Sequence, residues 1–232
     1  MSLLQNLISQ NTVRRFDLVI FDLDGTLLDT SEGILSSIRF TTDHFHLRPI
    51  PEERIRSFIG PPIQWSFMKE YGLSVEKGND YAAVFRDRYK NYDLMKAVPY
   101  PGIIEAMKKL KAMGCKLAVA TYKREDYALE LLERYAFLEQ CSIAHGCDFA
   151  GKRKKADIIR MCIEEAAIND RDRAVLVGDT ESDRNGALEA GIHFIGVTYG
   201  FGYKKWMYAD GADAMIMTPD ELIRAVCKEN EP

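Results

Sequence analysis

The chain reads as an α/β protein, a doubly wound parallel sheet interrupted by one helical insert, and three features of the sequence predict this. Compact apolar runs of strand length, beginning with Phe16-Asp-Leu-Val-Ile-Phe21, recur along the chain. Segments of helical periodicity separate them, and strands joined through helices pair in parallel with both sheet faces covered. Between Ser31 and about Tyr92 the strand-like runs stop, and apolar residues recur at helical spacing, as at Ile34 and Ile38 and later at Tyr81, Val84, Phe85 and Tyr89. The chain therefore divides into a core of residues 1–30 and 98–232 and a helical insert of residues 31–97.

A short helical lead is expected before the first strand, which is halted at Asp22-Leu-Asp-Gly25 by acids and a glycine. Within the insert, Pro51 marks a helix start and Gly60-Pro61-Pro62 must break a helix. Beyond Val98-Pro-Tyr-Pro-Gly102, residues Ile103, Ile104, Met107 and Leu110 form a helix face closed by Gly114. A strand is expected over Cys115–Thr121, a helix over Arg124–Tyr135, a short strand over Ser142–His145 and a helix over Lys155–Ala167. The next strand, Arg173–Gly178, stops at Asp179. A helix through Asn185–Ala190 ends at Gly191, and His193–Val197 and Ala214–Met217 add strands. Thr218-Pro-Asp-Glu221 has capping-box spacing with proline at the first helical position, so a final helix begins there.

With 232 residues and 47% hydrophobic side chains, the chain can bury a sizeable core, which excludes disorder as its main state. A net charge of -4 supplies no global field for nucleic acid or an anionic membrane, and a small-molecule substrate is the expectation. Five cysteines, odd in number and without a CxxC pair, argue against a disulfide framework and a zinc site and for a reducing, cytoplasmic setting. Met1 to Phe16 carries Asn, Gln and Arg among its leucines and reads as neither signal peptide nor membrane span. The histidines lack metal-ligand spacing, and His193 is expected in the core. Trp65, Phe67 and Tyr71 are read as packing within the insert, and Tyr199-Gly-Phe-Gly202 as a flexible loop without chemistry.

Three polar sites follow expected strands: Asp22 with Asp24, Thr121 with Lys123, and Asp179 with Asp183. Ligands of open parallel sheets bind outside the carboxyl ends of the strands, so these sites can converge although far apart in sequence. Asp22 and Asp179 offer hard oxygen ligands suited to Mg2+. A phosphoryl group bound there needs an in-line nucleophile and neutralisation of its oxygens, which an aspartate, Mg2+, a hydroxyl and a lysine together provide.

Asp22-Leu-Asp-Gly-Thr26, Thr121, a lysine before a helix and Gly178-Asp-Thr-Glu-Ser-Asp183 resemble the four motifs of the haloacid dehalogenase-like superfamily over nearly the whole chain. Phe58-Ile-Gly-Pro-Pro62 is similar to a cap segment of its phosphoglycolate phosphatase-like branch. The resemblance implies a Rossmann-like core with an inserted helical cap, acting as a phosphatase on a small phosphorylated metabolite. It implies Asp22 as nucleophile and Asp24 as general acid and base. Mg2+ would be held by Asp22, the Asp24 carbonyl and Asp179, with Asp183 supporting the site. Thr121 would bond the phosphoryl group, and a lysine would neutralise the charge shared with the nucleophile. Gly151-Lys-Arg-Lys-Lys155 offers three lysines, of which Lys155, directly before Ala156-Asp-Ile-Ile159, is chosen over Lys152. Tyr122 stands where relatives often carry Asn, which leaves phosphate contacts beyond the Thr121 hydroxyl open. The alternatives are a phosphomutase of the same family, disfavoured by Thr26, and a receiver-like phospho-aspartate switch, disfavoured by Asp24 and the cap. The natural substrate and oligomeric state are not legible at this level.

Overall fold

The structure, a computed structural model, describes residues 12–149, 152–202 and 211–229. The expected helical lead falls largely outside these residues. In chain order the strands are β1 (Thr12–Arg14), β2 (Leu18–Phe21), β3 (Leu28–Asp29), β4 (Val98–Pro99), β5 (Lys116–Arg124), β6 (Ile143–Cys147), β7 (Ala174–Gly178), β8 (His193–Val197), β9 (Ala214–Ile216) and β10 (Cys227–Glu229). The α-helices are α1 (Ser31–His44), α2 (Glu52–Ile55), α3 (Ile63–Tyr71), α4 (Val75–Arg88), α5 (Ile103–Ala112), α6 (Glu125–Arg134), α7 (Lys155–Glu165), α8 (Glu181–Ala190) and α9 (Leu222–Val226).

Six strands form a parallel sheet in the order β6-β5-β2-β7-β8-β9. The chain winds outward from β2 through β5 and β6, then crosses to the other side for β7, β8 and β9. Leu18 of β2 accordingly faces Lys116 of β5 on one side and Ala174 of β7 on the other. At this switch of direction a crevice opens at the carboxyl ends of β2, β5 and β7.

Alternation along the strands explains how both faces are covered. Val19 and Phe21 share a buried cluster with Leu110 of α5, Leu131 of α6 and Val226 of α9. Leu18 and Ile20 point to the opposite face, where they pack with Ile158 and Ile159 of α7 and Ala187 of α8. A strand buried on both sides reads as an unbroken apolar run, which is why β2 is legible without alternation. On the α7 side the sheet contributes Ala118, Ala120 and Ala174, small residues that let the helix carrying Lys155 approach closely.

Helices α1 to α4 lie between β3 and β4, which pair antiparallel through Leu28 with Pro99 and Asp29 with Val98. The helical insertion thus leaves and rejoins the core on one short ribbon. Ile38, Phe67 and Phe85 of the insert are continuous with the cluster on the α5 face of the sheet. Phe67 is wholly buried while Trp65 is 63% exposed, so the expected aromatic packing holds for the first and fails for the second. Helix α4 passes into a π-helical turn over Tyr89–Asp93, a local register that apolar periodicity does not reveal.

Other elements depart from expectation. β1 and β10, unforeseen at three residues each, pair with one another near the ends of the described chain. β5 continues past Thr121 to Arg124, with a register irregularity between Ala120 and Arg124, so Thr121 lies within the strand. α8 starts at Glu181, earlier than its apolar residues indicate, because its first turn is polar and faces the site. The final capping box does not form. Thr218 makes no side-chain cap bond, and the Glu221 carboxylate accepts from the Met217 N–H at 2.9 Å. A 3-10 turn over Pro219–Glu221 precedes α9.

Candidate active site

Sheet hydrogen bonding carries one residue past β2: the Asp22 N–H donates to the Val177 carbonyl at 2.9 Å. This holds Asp22 beside the end of β7, from which Asp179 follows. The chain then turns back, with the N–H groups of Leu27 and Leu28 both donating to the Leu23 carbonyl at 3.0 Å. Gly25 adopts φ +83°, and a Cβ there would lie 2.3 Å from Asp179 Oδ2. Gly25→Ala therefore combines backbone strain of about 1–2 kcal/mol with displacement of a buried carboxylate. A thermal-unfolding series with and without Mg2+ should show a lower Tm and a smaller Mg2+-induced rise than in the parent enzyme.

Asp22, Asp179 and Asp183 form a buried acidic cluster, each offering an oxygen within 4.8 Å of the others. Lys155, only 3% exposed, sits against two of them, its Nζ at 2.7 Å from Asp22 Oδ1 and 2.6 Å from Asp183 Oδ1. Burial pushes the Asp22 carboxyl up to about 7; Lys155 counters this, while Asp183 and Asp24 reinforce it. Burial likewise raises Asp179 well above the ordinary carboxylate range, helped by the charges of Asp183 and Asp22. For Lys155 burial opposes the charge, but Asp183 and Asp22 outweigh it and hold the ammonium above the ordinary lysine value. Three carboxylates against one ammonium leave an excess of buried negative charge, and the donors are all oxygen. That set fits a hard divalent cation such as Mg2+.

The three carboxylates are held differently. Asp183 is the third residue of a capping box at α8: its Oδ2 accepts from the Thr180 N–H at 2.9 Å and from the Thr180 hydroxyl at 2.6 Å. With Lys155 on Oδ1, both of its oxygens are engaged by protein, which suits a supporting place beside a cation. Asp179 Oδ2 accepts from the N–H groups of Phe201 and Gly202 at 2.7 and 3.0 Å, while Oδ1 meets the Thr26 hydroxyl at 3.5 Å. The segment Tyr199–Gly202, expected to be a loop without chemistry, thus anchors this carboxylate. Gly200 is required there, since a Cβ would come within 2.4 Å of both Asp179 Cβ and the Gly25 carbonyl oxygen.

Asp24 faces a separate set of donors. Its Oδ1 accepts from the Thr30 hydroxyl at 2.7 Å and pairs with Lys123 Nζ at 3.0 Å. The buried Thr121 Oγ1 accepts from the Lys123 N–H at 3.2 Å, which leaves its own proton to donate elsewhere. Tyr122, the departure from the family pattern, has a structural use: its hydroxyl accepts from the Lys155 N–H at 3.0 Å and so ties the start of α7 to β5. The structure brings Lys155 to the carboxylates and leaves Lys152 exposed, with its N–H bonded to Asp148 at 2.7 Å. Asp22, Asp24, Thr121, Lys155, Asp179 and Asp183 are thereby gathered at one end of the sheet. Lys123 is also present, a residue the sequence placed beside Thr121 without a role. His193 is not a core residue: half-buried at the start of β8, it contacts Asp213 at 2.7 Å and Arg15 at 3.1 Å, away from this set.

The described geometry is that of a carboxylate-rich hydrolase crevice, and comparison with known proteins agrees. The family model for haloacid dehalogenase-like hydrolases matches residues 19–197. The chain belongs to that family and is an enzyme of the phosphoric monoester hydrolase class. A 5'-nucleotidase of Pseudomonas aeruginosa is 32% identical over 189 residues, spanning 81% of this chain and 85% of the relative. A phosphoglycolate phosphatase of Agrobacterium fabrum is 34% identical over 190 residues, spanning 79% and 81% respectively. The crystal structure of a predicted phosphatase from Clostridium acetobutylicum superposes with a TM-score of 0.83 at 33% identity, covering 90% of this chain and 97% of that one.

Proposed function

We propose that the enzyme hydrolyses small phosphate monoesters through an aspartyl-phosphate formed on Asp22. The observation that carries this reading is the buried Asp22 carboxylate at the crevice, paired to Lys155 at 2.7 Å and neighboured by a second acid two residues on. An Asp22 oxygen attacks phosphorus and the bond from phosphorus to the alcohol oxygen breaks, with Asp24 supplying the proton that the departing alkoxide takes. Asp24, now a carboxylate, removes a proton from water. The water oxygen attacks the aspartyl-phosphate, releasing phosphate and restoring Asp22. Thr121 donates to a phosphoryl oxygen, and Lys155 offsets charge shared between Asp22 and the phosphoryl group. Asp22, Asp179 and the Asp24 carbonyl would hold Mg2+, supported by Asp183, and the bound cation would neutralise phosphoryl oxygens.

In this reading residues 31–97 are the cap, residues 1–30 and 98–232 are the catalytic core, and the cap selects the substrate. The relatives' names support phosphoglycolate-like compounds, nucleotides or sugar phosphates as the substrate class. The free thiols of Cys115, Cys141, Cys147, Cys162 and Cys227 suit a reducing cytoplasm. Among the described residues no helix is long and apolar enough to cross a membrane. A panel of phosphorylated metabolites ranked by kcat/KM tests the assignment. Mg2+-dependent phosphate release from at least one class supports it, and full activity in excess chelator contradicts the metal assignment.

The pH dependence of Mg2+ binding gives a separate check. Asp22 titrates at about 7 in the metal-free fold against 3.8 as an ordinary aspartate. Between those values the folded state holds more protons than the unfolded chain, so the metal-free protein should gain stability as pH falls through about 7 towards 4. Mg2+ competes with that proton, so its apparent affinity should fall over the same range, and binding near neutrality should release protons. Calorimetric titration in two buffers of different ionisation enthalpy reads that release. Mg2+ binding that is independent of pH and buffer would contradict the raised Asp22.

A further inference from the structure

Lys123 is an ammonium whose side chain is 6% exposed, and it is held by groups from two parts of the molecule. Its Nζ lies 3.0 Å from Asp24 Oδ1 and donates to the Tyr89 hydroxyl at 2.9 Å. Tyr89 belongs to the helical insert, where it opens the π-helical turn. Its ring is buried, stacks at 5.7 Å on Phe85 of the insert and meets Tyr127 of the core edge-on at 6.1 Å. The π turn is fastened from behind. Asp93, wholly buried, accepts from Ser37 and Arg88 at 2.9 Å each and pairs with Lys96 at 2.8 Å. The Leu94 N–H closes the turn on the Tyr89 carbonyl at 2.7 Å. An extra residue in that turn sets the rotation at which Tyr89 leaves the helix, and such irregular turns gather at functional sites.

The two donors on Asp24 share one oxygen. Thr30 and Lys123 both engage Oδ1, so Oδ2 is left to carry a transferable proton. We infer that Lys123 is a positioning residue for Asp24, holding the carboxyl by Oδ1 so that Oδ2 delivers the proton, and that Tyr89 makes this arrangement depend on the insert being seated on the core. The inference rests on the assignment of Asp24 as general acid. An enzyme built this way delivers its proton only when the insert covers the crevice, where a lid also excludes water and selects substrate. Ammonium and phenol are suited to the task, because a lysine has three protons to distribute and a buried lysine must be paired.

The test is the dependence of kcat/KM on the leaving group, which reports the step in which Asp24 gives its proton. Alkyl phosphates need that proton, whereas an aryl phosphate leaves without it. Tyr89→Phe keeps the stacked ring and removes the hydroxyl, and is expected to lower kcat for an alkyl phosphate about tenfold while KM and aryl-phosphate kcat/KM stay within about twofold. Lys123→Met is expected to lower the alkyl rate about 100-fold with the same selectivity. Equal losses for alkyl and aryl esters in either variant, or wild-type alkyl rates in both, overturn the inference. If Lys123→Met does not fold, Tyr89→Phe decides alone. Failure of the underlying reading is separately visible, because an enzyme that is never phosphorylated on Asp22 contradicts the proposed function whatever these ratios show.

Discussion

Asp22→Asn abolishes turnover of every phosphate monoester, with a loss on the order of 10⁴-fold or more, because the attacking oxygen is removed and nothing else in the crevice replaces it. The same substitution should not harm the fold. Burial disfavours the Asp22 charge and Asp183 and Asp24 add to the repulsion, so a neutral amide of nearly the same shape relieves as much as it costs. Without metal, the Asp22→Asn protein is therefore expected to melt at or above the wild-type temperature at neutral pH. Addition of Mg2+ should raise its Tm far less than it raises that of the wild type, since a ligand has been lost. Kinetics and melting curves on the same preparation separate this outcome from simple misfolding. A variant that loses activity and also several degrees of Tm in the absence of metal would contradict the electrostatic account of the site.

The second large effect is expected at Lys155, with the opposite sign in stability. Its ammonium lies between Asp22 and Asp183 at 2.7 and 2.6 Å, and Lys155→Met leaves those carboxylates facing one another and Asp179 without a compensating charge. Removing one partner of a buried ion pair costs about 3–5 kcal/mol, because the remaining charge stays desolvated. Methionine fills a similar length, so the packing loss beside Gly186 is small; the Lys155 stem runs where a Gly186 Cβ would come within 2.6 Å of Cγ. Turnover should fall by about 10²–10³-fold, the usual loss for a donor aimed at developing charge. Mg2+ should recover part of the stability and little of the activity, since it can neutralise carboxylates without replacing the ammonium. Chemical denaturation with and without Mg2+ measures the first effect, and kcat measures the second. Equal stability of Lys155→Met and wild type in the absence of metal would show that the ammonium does not balance the cluster.

Much of this site was legible because its residues sit where strands stop. Asp22, Asp24 and Asp179 are acids that end apolar runs, and a parallel α/β sheet brings the carboxyl ends of such runs together whatever their separation in sequence. Lys155 was legible for a different reason: it opens a helix that packs on the sheet, and only one of the nearby lysines has that place. The anchoring of Asp179 by Phe201 and Gly202 left no comparable trace, because backbone N–H groups are donors in every residue. The approach of Gly200 to Asp179 needs a missing side chain, and glycine in a loop is too common to announce it. Tyr89 could not be placed over Lys123 from periodicity, since the π turn rotates it away from the helical repeat. The pairing of β1 with β10 was missed because three-residue strands carry too little pattern to be distinguished from loop. His193 looked like a core residue because it opens an apolar strand, yet strand ends emerge from the sheet, and there Asp213 and Arg15 hold it.

The covalent role of Asp22 is tested most directly by trapping the phosphorylated enzyme. In Asp24→Asn the second step loses its base, so an aryl phosphate should phosphorylate the enzyme faster than water can release it. Rapid acid quench after mixing with a radiolabelled aryl phosphate should show a burst of about one equivalent of label per enzyme, and peptide mapping should place that label on Asp22. Label on any other residue, or steady turnover without phosphorylated enzyme under conditions where Asp24→Asn still binds the ester, would contradict nucleophilic catalysis by Asp22.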